Sequence, residues 1–149
     1  MELLDLKPFQ ARLKAKTTGV IRDIGFAADF AAATAPGAAI ASPSAFIILT
    51  GAEPLEIQEG SGPLRQLFDV TVSVLLALKL AGVRGSAGLE QLAAPAAATR
   101  GALFGWAHPD AERKCWSGGE SIEDFDSKTG VLVYRLDFVA RAKIQETFE

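Results

Sequence analysis

Two stretches of strict alternation constrain the fold of this chain more than any other feature of its sequence. In residues 68–80 and again in residues 132–144, every second residue is apolar or aromatic. These residues are Phe68, Val70, Val72, Val74, Leu76, Leu78 and Leu80, then Leu132, Tyr134, Leu136, Phe138, Ala140, Ala142 and Ile144. A period of two places alternate side chains on opposite faces of a strand. The pattern predicts two long strands with one buried face each, although the LLALKL end of the first also suits a helix.

Apolar residues at steps of three and four predict two helices. Leu3, Leu6, Phe9 and Leu13 indicate a first helix over residues 5–16. A second set of helical steps indicates a helix that Gly105 ends. Its members are Leu89, Leu92, Ala96, Arg100 and Leu103. Pro95 lies inside this pattern, so either the main helix begins there or the helix is kinked.

The remaining segments complete an α+β prediction. Residues 20–24 suit a short strand, residues 45–50 a buried strand, and residues 113–124 the partner of the last strand in a hairpin. The alanine-rich connector over residues 27–44 opens at most with a helical turn, and we interpret Gly51–Leu64 and Ser117–Gly130 as exposed loops. One domain over residues 1–149 is expected, with a mostly antiparallel sheet of four to five strands and two helices packed on one face.

Composition excludes several functional classes. The net charge is -3 and no run of basic residues occurs, so the electrostatic footprint of a nucleic-acid-binding protein is missing. A single cysteine cannot form an intramolecular disulfide. The uncharged stretch 30–52 contains Pro36, Gly37 and Pro43, which favour a connector and a strand over a membrane span.

The only candidate catalytic pair lies in residues 104–119, FGWAHPDAERKCWSGG. His108 and Cys115 are the only histidine and cysteine, but no cysteine-hydrolase signature surrounds them. We interpret Cys115 as a core residue and His108 as a solvated loop residue. No phosphate-binding glycine motif occurs, and no cofactor or metal is expected.

Two acidic groups of residues read as exposed loops. Because the spacing of the first group does not match a calcium-binding loop, we interpret it as solvated surface and not as a metal site. The second group makes the hairpin tip acidic, which keeps an edge soluble. The residues are Glu53, Glu56 and Glu59 in the first group, and Glu120, Glu123 and Asp124 in the second.

Five motifs, in order, resemble those of the bacteriophage tail terminator family, also called tail completion or head-tail joining proteins. They are SPSAFIIL, LFDVTVSVLLAL, ALFGWAHP, WSGG and VYRLDF. The best local matches are the helix exit Leu103, Gly105, Trp106 and Pro109, the glycine pair Gly118 and Gly119, and Arg135, Asp137 and Phe138 in the last strand. The resemblance implies that Trp106 folds back onto the core and that Pro109 directs the chain into the next strand.

The resemblance also implies a non-enzymatic function. Tail terminators form a ring, commonly hexameric, that caps the tail tube, ends its polymerisation and joins it to the neck. The implied partners are further copies of the chain, the tube protein and a neck or head-tail connector protein, with the sheath added in a contractile tail. Genome DNA would pass through the lumen without sequence-specific binding, and the acidic loops are candidates for the lumen or partner surfaces.

This reading places the protein at the tail-neck junction of the virion, after assembly in the host bacterial cytoplasm and without a membrane. Two alternatives stay open. One is a head-closure or neck adaptor, which would also be a ring protein. The other is a small cytosolic enzyme that uses His108 and Cys115.

Overall fold

Three strands of 15 residues each form the centre of the fold. The computed structural model describes residues 3–35, 38, 40–80 and 86–146, with residues 86–89 described by their backbone alone. In chain order the elements are α1 (Lys7–Lys16), β1 (Asp23–Phe26), α2 (Ala27–Ala33), β2 (Ser44–Gln58), β3 (Arg65–Lys79), α3 (Ser86–Leu103), β4 (Trp116–Asp126) and β5 (Val131–Gln145).

The strands form a five-stranded sheet in the order β1-β2-β3-β5-β4. β1 runs parallel to β2, and the other three pairs are antiparallel. β3 and β5 pair along their whole length, from Arg65 opposite Gln145 to Lys79 opposite Val131. The predicted α+β class with a mostly antiparallel sheet is confirmed.

The main core lies between one face of this sheet and the helices α1 and α3. The even-numbered residues of β3 from Val70 to Leu78 are all buried on this face, as the alternation predicts. Phe9 and Leu13 of α1 and Leu103 of α3 cover them and are fully buried. Burial of such side chains contributes about 1.5–3 kcal/mol each, which makes this layer the main source of stability.

A third helix, α2, covers the opposite face of the sheet near the Lys79 end of β3. The prediction of two helices on one face is wrong in this respect. Phe30 of α2 packs edge-on against Phe46, with ring centroids 5.3 Å apart. Together with Ile40 of the connector, α2 shields a second apolar cluster that includes Leu75 and Val133. Odd-numbered residues at this end of β3 are therefore buried too, which the alternating pattern alone does not reveal.

Several predicted boundaries are corrected. The predicted loop at residues 51–64 is wrong for residues 51–58, which continue β2 with register shifts at Leu49/Gly51 and Pro54/Ile57. The region from Ser117 to Asp126 is likewise strand. LLALKL is not helical, since residues 75–79 belong to β3. Helix α3 passes through Pro95 and begins nine residues before it, so the main helix does not start at the proline.

Candidate functional site

The exit of α3 is held against the entry of β4 by two backbone hydrogen bonds. Gly105 adopts a positive φ of 78°, a conformation that favours glycine, and the helix ends there. Its N–H donates to the Cys115 carbonyl over 2.9 Å, and the Cys115 N–H donates to the Trp106 carbonyl over 2.8 Å. The nine residues between Trp106 and Trp116 therefore form a loop whose two ends are hydrogen-bonded to each other.

Trp106 packs onto the core at this closure. Its ring meets Phe9 of α1 edge-on, with centroids 5.1 Å apart and an interplanar angle of 75°. His108 lies beside both rings, at centroid distances of 5.2 Å from Phe9 and 5.8 Å from Trp106. The junction thus joins α1, α3 and β4 through one aromatic cluster, which is a packing role.

His108 is only 2% exposed, so its interpretation as a solvated loop residue is wrong. Its Nδ1 accepts the Asp110 N–H over 3.0 Å, which requires the proton to sit on Nε2. Nε2 then donates to the Asp5 carbonyl over 2.8 Å. Both ring nitrogens are occupied by backbone groups, so neither is available as a general base for a nucleophile.

Cys115 is a buried thiol, as the core interpretation requires. Burial raises its pKa to about 11. Because the thiolate is the nucleophilic form, a thiol with this pKa is inert near neutral pH. The geometry therefore gives the His108 and Cys115 pair no catalytic arrangement.

The glycine pair forms a bulge early in β4, where the register with β5 shifts between Ser117 and Gly119. Gly119 has a φ of 117°, a value that side-chain-bearing residues rarely adopt. A Cβ on Gly118 would lie 3.2 Å from the Cβ of Asp137. Elsewhere in the predicted motif, Leu103 and Phe138 are buried and Pro109 is exposed. The motif is thus distributed over packing and turn positions and does not form a pocket.

The first acidic group lies on the outer half of β2 and just beyond it. Glu53, Glu56 and Glu59 are all exposed. Glu53 lies directly opposite Asp69 of β3, and Asp69 in turn receives an ion pair from Arg141 at 2.9 Å. The hydrogen bond to Asp69 raises the pKa of Arg141. These three exposed carboxylates are together called the acidic stripe. Glu53 and Glu56 lie on a strand and not on the predicted loop, whereas Glu59 lies in the connection from β2 to β3.

The second acidic group lies in β4, and its members differ in their partners. Glu123 approaches Arg135 at 3.9 Å, while Asp124 is exposed. Glu120 accepts two hydrogen bonds from Arg100 of α3, at 2.5 and 2.8 Å, and a third from Tyr134 at 2.8 Å. The sequence did not indicate this bridge, because Arg100 and Glu120 belong to different elements and only the folded chain brings them together.

Replacing Glu120 by glutamine removes the ion pair with Arg100 and is expected to lower the free energy of unfolding near neutral pH by about 1 kcal/mol. The effect is no larger because Arg100 is partly exposed and solvent screens its charge. The hydrogen bond from Arg100 holds the pKa of Glu120 below its ordinary value of 4.5. A depressed folded-state pKa contributes stability above the ordinary pKa that is lost as pH falls through the folded value. Urea unfolding should therefore separate wild type from Glu120→Gln near neutral pH and bring them together in acid.

The matched control is Glu123→Gln on the same strand, whose contact with Arg135 is long and exposed. It should change stability by less than about 0.5 kcal/mol. Equal effects of the two substitutions at all pH values would contradict the role assigned to the Arg100 bridge.

The sheet face opposite the main core carries a connected polar network where α2 does not cover it. Ser73 donates to Asp137 over 2.5 Å and shares a hydrogen bond of 2.7 Å with Thr50. Arg135 donates to the same Asp137 over 2.7 Å, which raises the pKa of Arg135. Beside this network, Arg113 stacks on Trp116 at 4.5 Å from the ring centroid. This face is therefore ordered by hydrogen bonds and stacking among its own side chains.

The described ranges hold no metal-binding group: no cluster of three or more His, Cys, Asp or Glu residues there could ligate an ion. None of the helices that the structure describes is long and apolar enough to cross a membrane. The described surface also offers two sheet edges, β1 and β4, and exposed apolar side chains on strands. On β1 the backbone is already bonded by side chains: Asp23 and Asp29 accept the Ile24 and Phe26 N–H groups, and Gln10 donates to the Ile24 carbonyl. The exposed apolar side chains include Ile57 on β2 and Ile122 and Phe125 on β4, all at least half exposed. Such features suit association with other protein chains.

Comparison with known proteins gives a matching family and matches to solved structures. The family model described as phage tail terminator protein matches residues 1–147. A similar solved chain belongs to the structure described as the virion of a native gene transfer agent (GTA) particle. It has a TM-score of 0.47 and 18% sequence identity, and the match covers 89% of this chain and 84% of that chain. The comparison with curated proteins gives no match.

Proposed function

Because the chain belongs to the phage tail terminator family, we propose that it forms a hexameric ring that caps the tail tube and ends its polymerisation. The resemblance drawn from the sequence motifs is confirmed by that membership. The protein is a structural component of a phage tail, and as part of the virion it associates with other tail and head proteins. The ring, its size and the capping of the tube are the content of the proposal.

The family match over nearly the whole chain carries this proposal, and the sheet geometry supports it. A closed ring requires a heterologous contact between two different surfaces of the same subunit. β1 and β4 form opposite edges of the sheet and differ in length, at 4 and 11 residues. A subunit with two unlike lateral edges can associate head to tail without pairing one edge with itself.

A terminator also needs two unlike axial surfaces, one for the tube and one for the neck. The long strands give the subunit two such ends. One end carries the tip of the β2–β3 turn at residues 60–64. The other end carries the tight β4–β5 turn at residues 127–130, where Asp126 accepts the Lys128 N–H over 2.9 Å. We propose that these ends contact different partners.

The test is to mix the purified protein with the tail-tube protein of the same phage. Light scattering measures the mass of the protein alone and in the mixture, and electron microscopy shows the tube ends. We expect capped tubes that no longer elongate, while tube protein without the terminator keeps growing. A protein that leaves tube growth unchanged would overturn the proposal, and binding to the portal side instead would favour the head-closure or neck adaptor.

The acidic stripe of Glu53, Glu56 and Glu59 is proposed to face the lumen. An acidic lining would repel the phosphates of the passing genome and prevent adhesion. Reversing all three residues to lysine is expected to reduce infectivity strongly while rings and capped tubes still form. The measurement is plaque yield and DNA ejection from particles that carry the variant.

The matched control replaces the same three residues by glutamine, which keeps side-chain size and removes charge. Its infectivity should lie between wild type and the lysine variant, because repulsion is lost without attraction being added. Normal infectivity of the lysine variant would place the stripe away from DNA.

A further inference from the structure

We propose that the lateral contact of the ring joins the β4 edge of one subunit to the α1–β1 edge of the next. The occupant of each edge is thus a second copy of this chain. The inference rests on the proposed ring function and adds which surfaces close the ring. It is carried by the opposite charge of the two edges and by their position on opposite sides of one sheet.

The β4 edge is acidic and partly apolar. Residues 116–126 contain four acidic residues and no basic one: Glu120, Glu123, Asp124 and Asp126. Three of these have partners within the subunit: Glu120 binds Arg100, Glu123 lies 3.9 Å from Arg135, and Asp126 accepts from the following turn. Glu123 and Asp124 are exposed, and beside them lie Ile122 at 61% and Phe125 at 53% exposure.

The opposite edge is basic. Residues 7–22 contain five basic residues and no acidic one: Lys7, Arg12, Lys14, Lys16 and Arg22. Across the described part of the chain, the observed ion pairs involve Arg100, Arg135, Arg141 and Lys143 and none of these five. Arg12 donates to the Ala102 carbonyl of α3 over 2.9 Å. The positive charge available at this edge therefore comes from the other four residues, against the single carboxylate of Asp23 in β1.

A concave surface lies at this basic edge, between the end of α1 and the start of β1. Its lining includes the exposed Lys14, Thr18 and Arg22 and the buried Ile21 and Ile24. Asp23 is the one acidic residue of the lining, and the two basic residues outnumber it. A surface of this kind suits a strand that presents both carboxylates and apolar side chains.

Charge also argues against the other edge pairings. Two β4 edges would bring acidic residues together, and so would β4 against the outer half of β2, where Glu53 and Glu56 are exposed. Juxtaposition of like charges opposes association, whereas complementary potentials guide it and fix its register. The α1–β1 edge is therefore the best electrostatic match for β4. Because the two edges lie at opposite ends of the strand order, their contact is heterologous, as a ring requires.

The experiment uses complementary charge reversal in the full chain. One variant carries Lys14→Glu and Arg22→Glu on the α1–β1 edge, and the other carries Glu123→Lys and Asp124→Lys on the β4 edge. Each is mixed with tail-tube protein, and the terminator concentration that stops half of tube growth is measured. The control is Arg113→Glu with Lys114→Glu, which makes the same charge change as the first variant in the exposed segment before β4, away from both edges and both strand ends.

Each edge variant alone is expected to need about tenfold or more protein than wild type, because every lateral contact then meets like charge. An equimolar mixture of the two should regain near wild-type capping, since each contact in an alternating ring is again complementary. The control should behave as wild type. Recovery in the mixture also shows that the variants fold. Asp124→Lys alone provides a milder second test, with a smaller loss in the same direction.

The outcomes separate the interface from the function. If both edge variants cap tubes like wild type, or if the mixture is no better than its components, the β4 to α1–β1 interface is overturned while the capping ring stands. If wild type itself neither assembles nor caps tubes, the proposed function fails and the interface with it.

Discussion

Replacing Trp106 by alanine is expected to lower the free energy of unfolding by about 3 kcal/mol, the scale of aromatic-to-alanine changes in packed sites. The indole packs against the main core and meets Phe9 edge-on, so its removal opens a cavity at the place where α1, α3 and β4 meet. For a domain of this size the melting temperature should fall by about 10 °C. Thermal unfolding followed by circular dichroism measures the change.

Phe104 provides the matched control, because it is an aromatic residue two positions away with 64% of its surface exposed. Phe104→Ala should change stability by no more than about 0.5 kcal/mol. If Trp106→Ala melts at the wild-type temperature, the helix exit is not a packing element, and the structural reading of this motif loses its main support.

Replacing His108 by alanine is expected to cost about 2–3 kcal/mol of stability, because it leaves a cavity and two unpaired backbone groups. The groups are the Asp5 carbonyl and the Asp110 N–H, both of which are hydrogen-bonded to the His108 ring in the wild-type protein. Through Asp5 the ring also fixes the segment that leads into α1. Urea unfolding near neutral pH measures the loss.

The same substitution separates a structural histidine from a catalytic one. A catalytic role predicts normal stability with lost activity, for His108→Ala and equally for Cys115→Ala. The packing role predicts reduced stability, with capping of tail tubes retained at temperatures where the variant is folded. Wild-type stability of His108→Ala would contradict the structure-based role and reopen the enzyme alternative.

Local patterns were sufficient wherever a segment buries one face against one neighbour. The alternation in residues 68–80 and 132–144 identified β3 and β5, because a strand with one buried face must repeat every two residues. The spacing of Phe9 and Leu13 identified α1 for the corresponding helical reason. Gly105 marked the end of α3 because a left-handed backbone position favours glycine.

The outer half of β2 could not be predicted in this way. Gly51 and Pro54 indicate a loop by local preference. In the structure, β3 from Arg65 to Thr71 is paired with β5 on one side and would expose its other backbone edge if β2 ended at Leu49. Pairing with residues 51–58 satisfies those backbone groups, and the two register shifts absorb the glycine and the proline.

The features of the candidate site likewise divide into those that local sequence predicts and those that only tertiary structure decides. By itself, the sequence determined the α+β class, the two long strands, the family resemblance and the charge of each segment, because these depend on residues that are neighbours along the chain. Tertiary structure alone decided that His108 is buried, that Arg100 reaches Glu120, that α2 covers the second face, and that a basic and an acidic segment lie on opposite sheet edges. These features arise from contacts between residues far apart in sequence, and no local periodicity records which segments will meet.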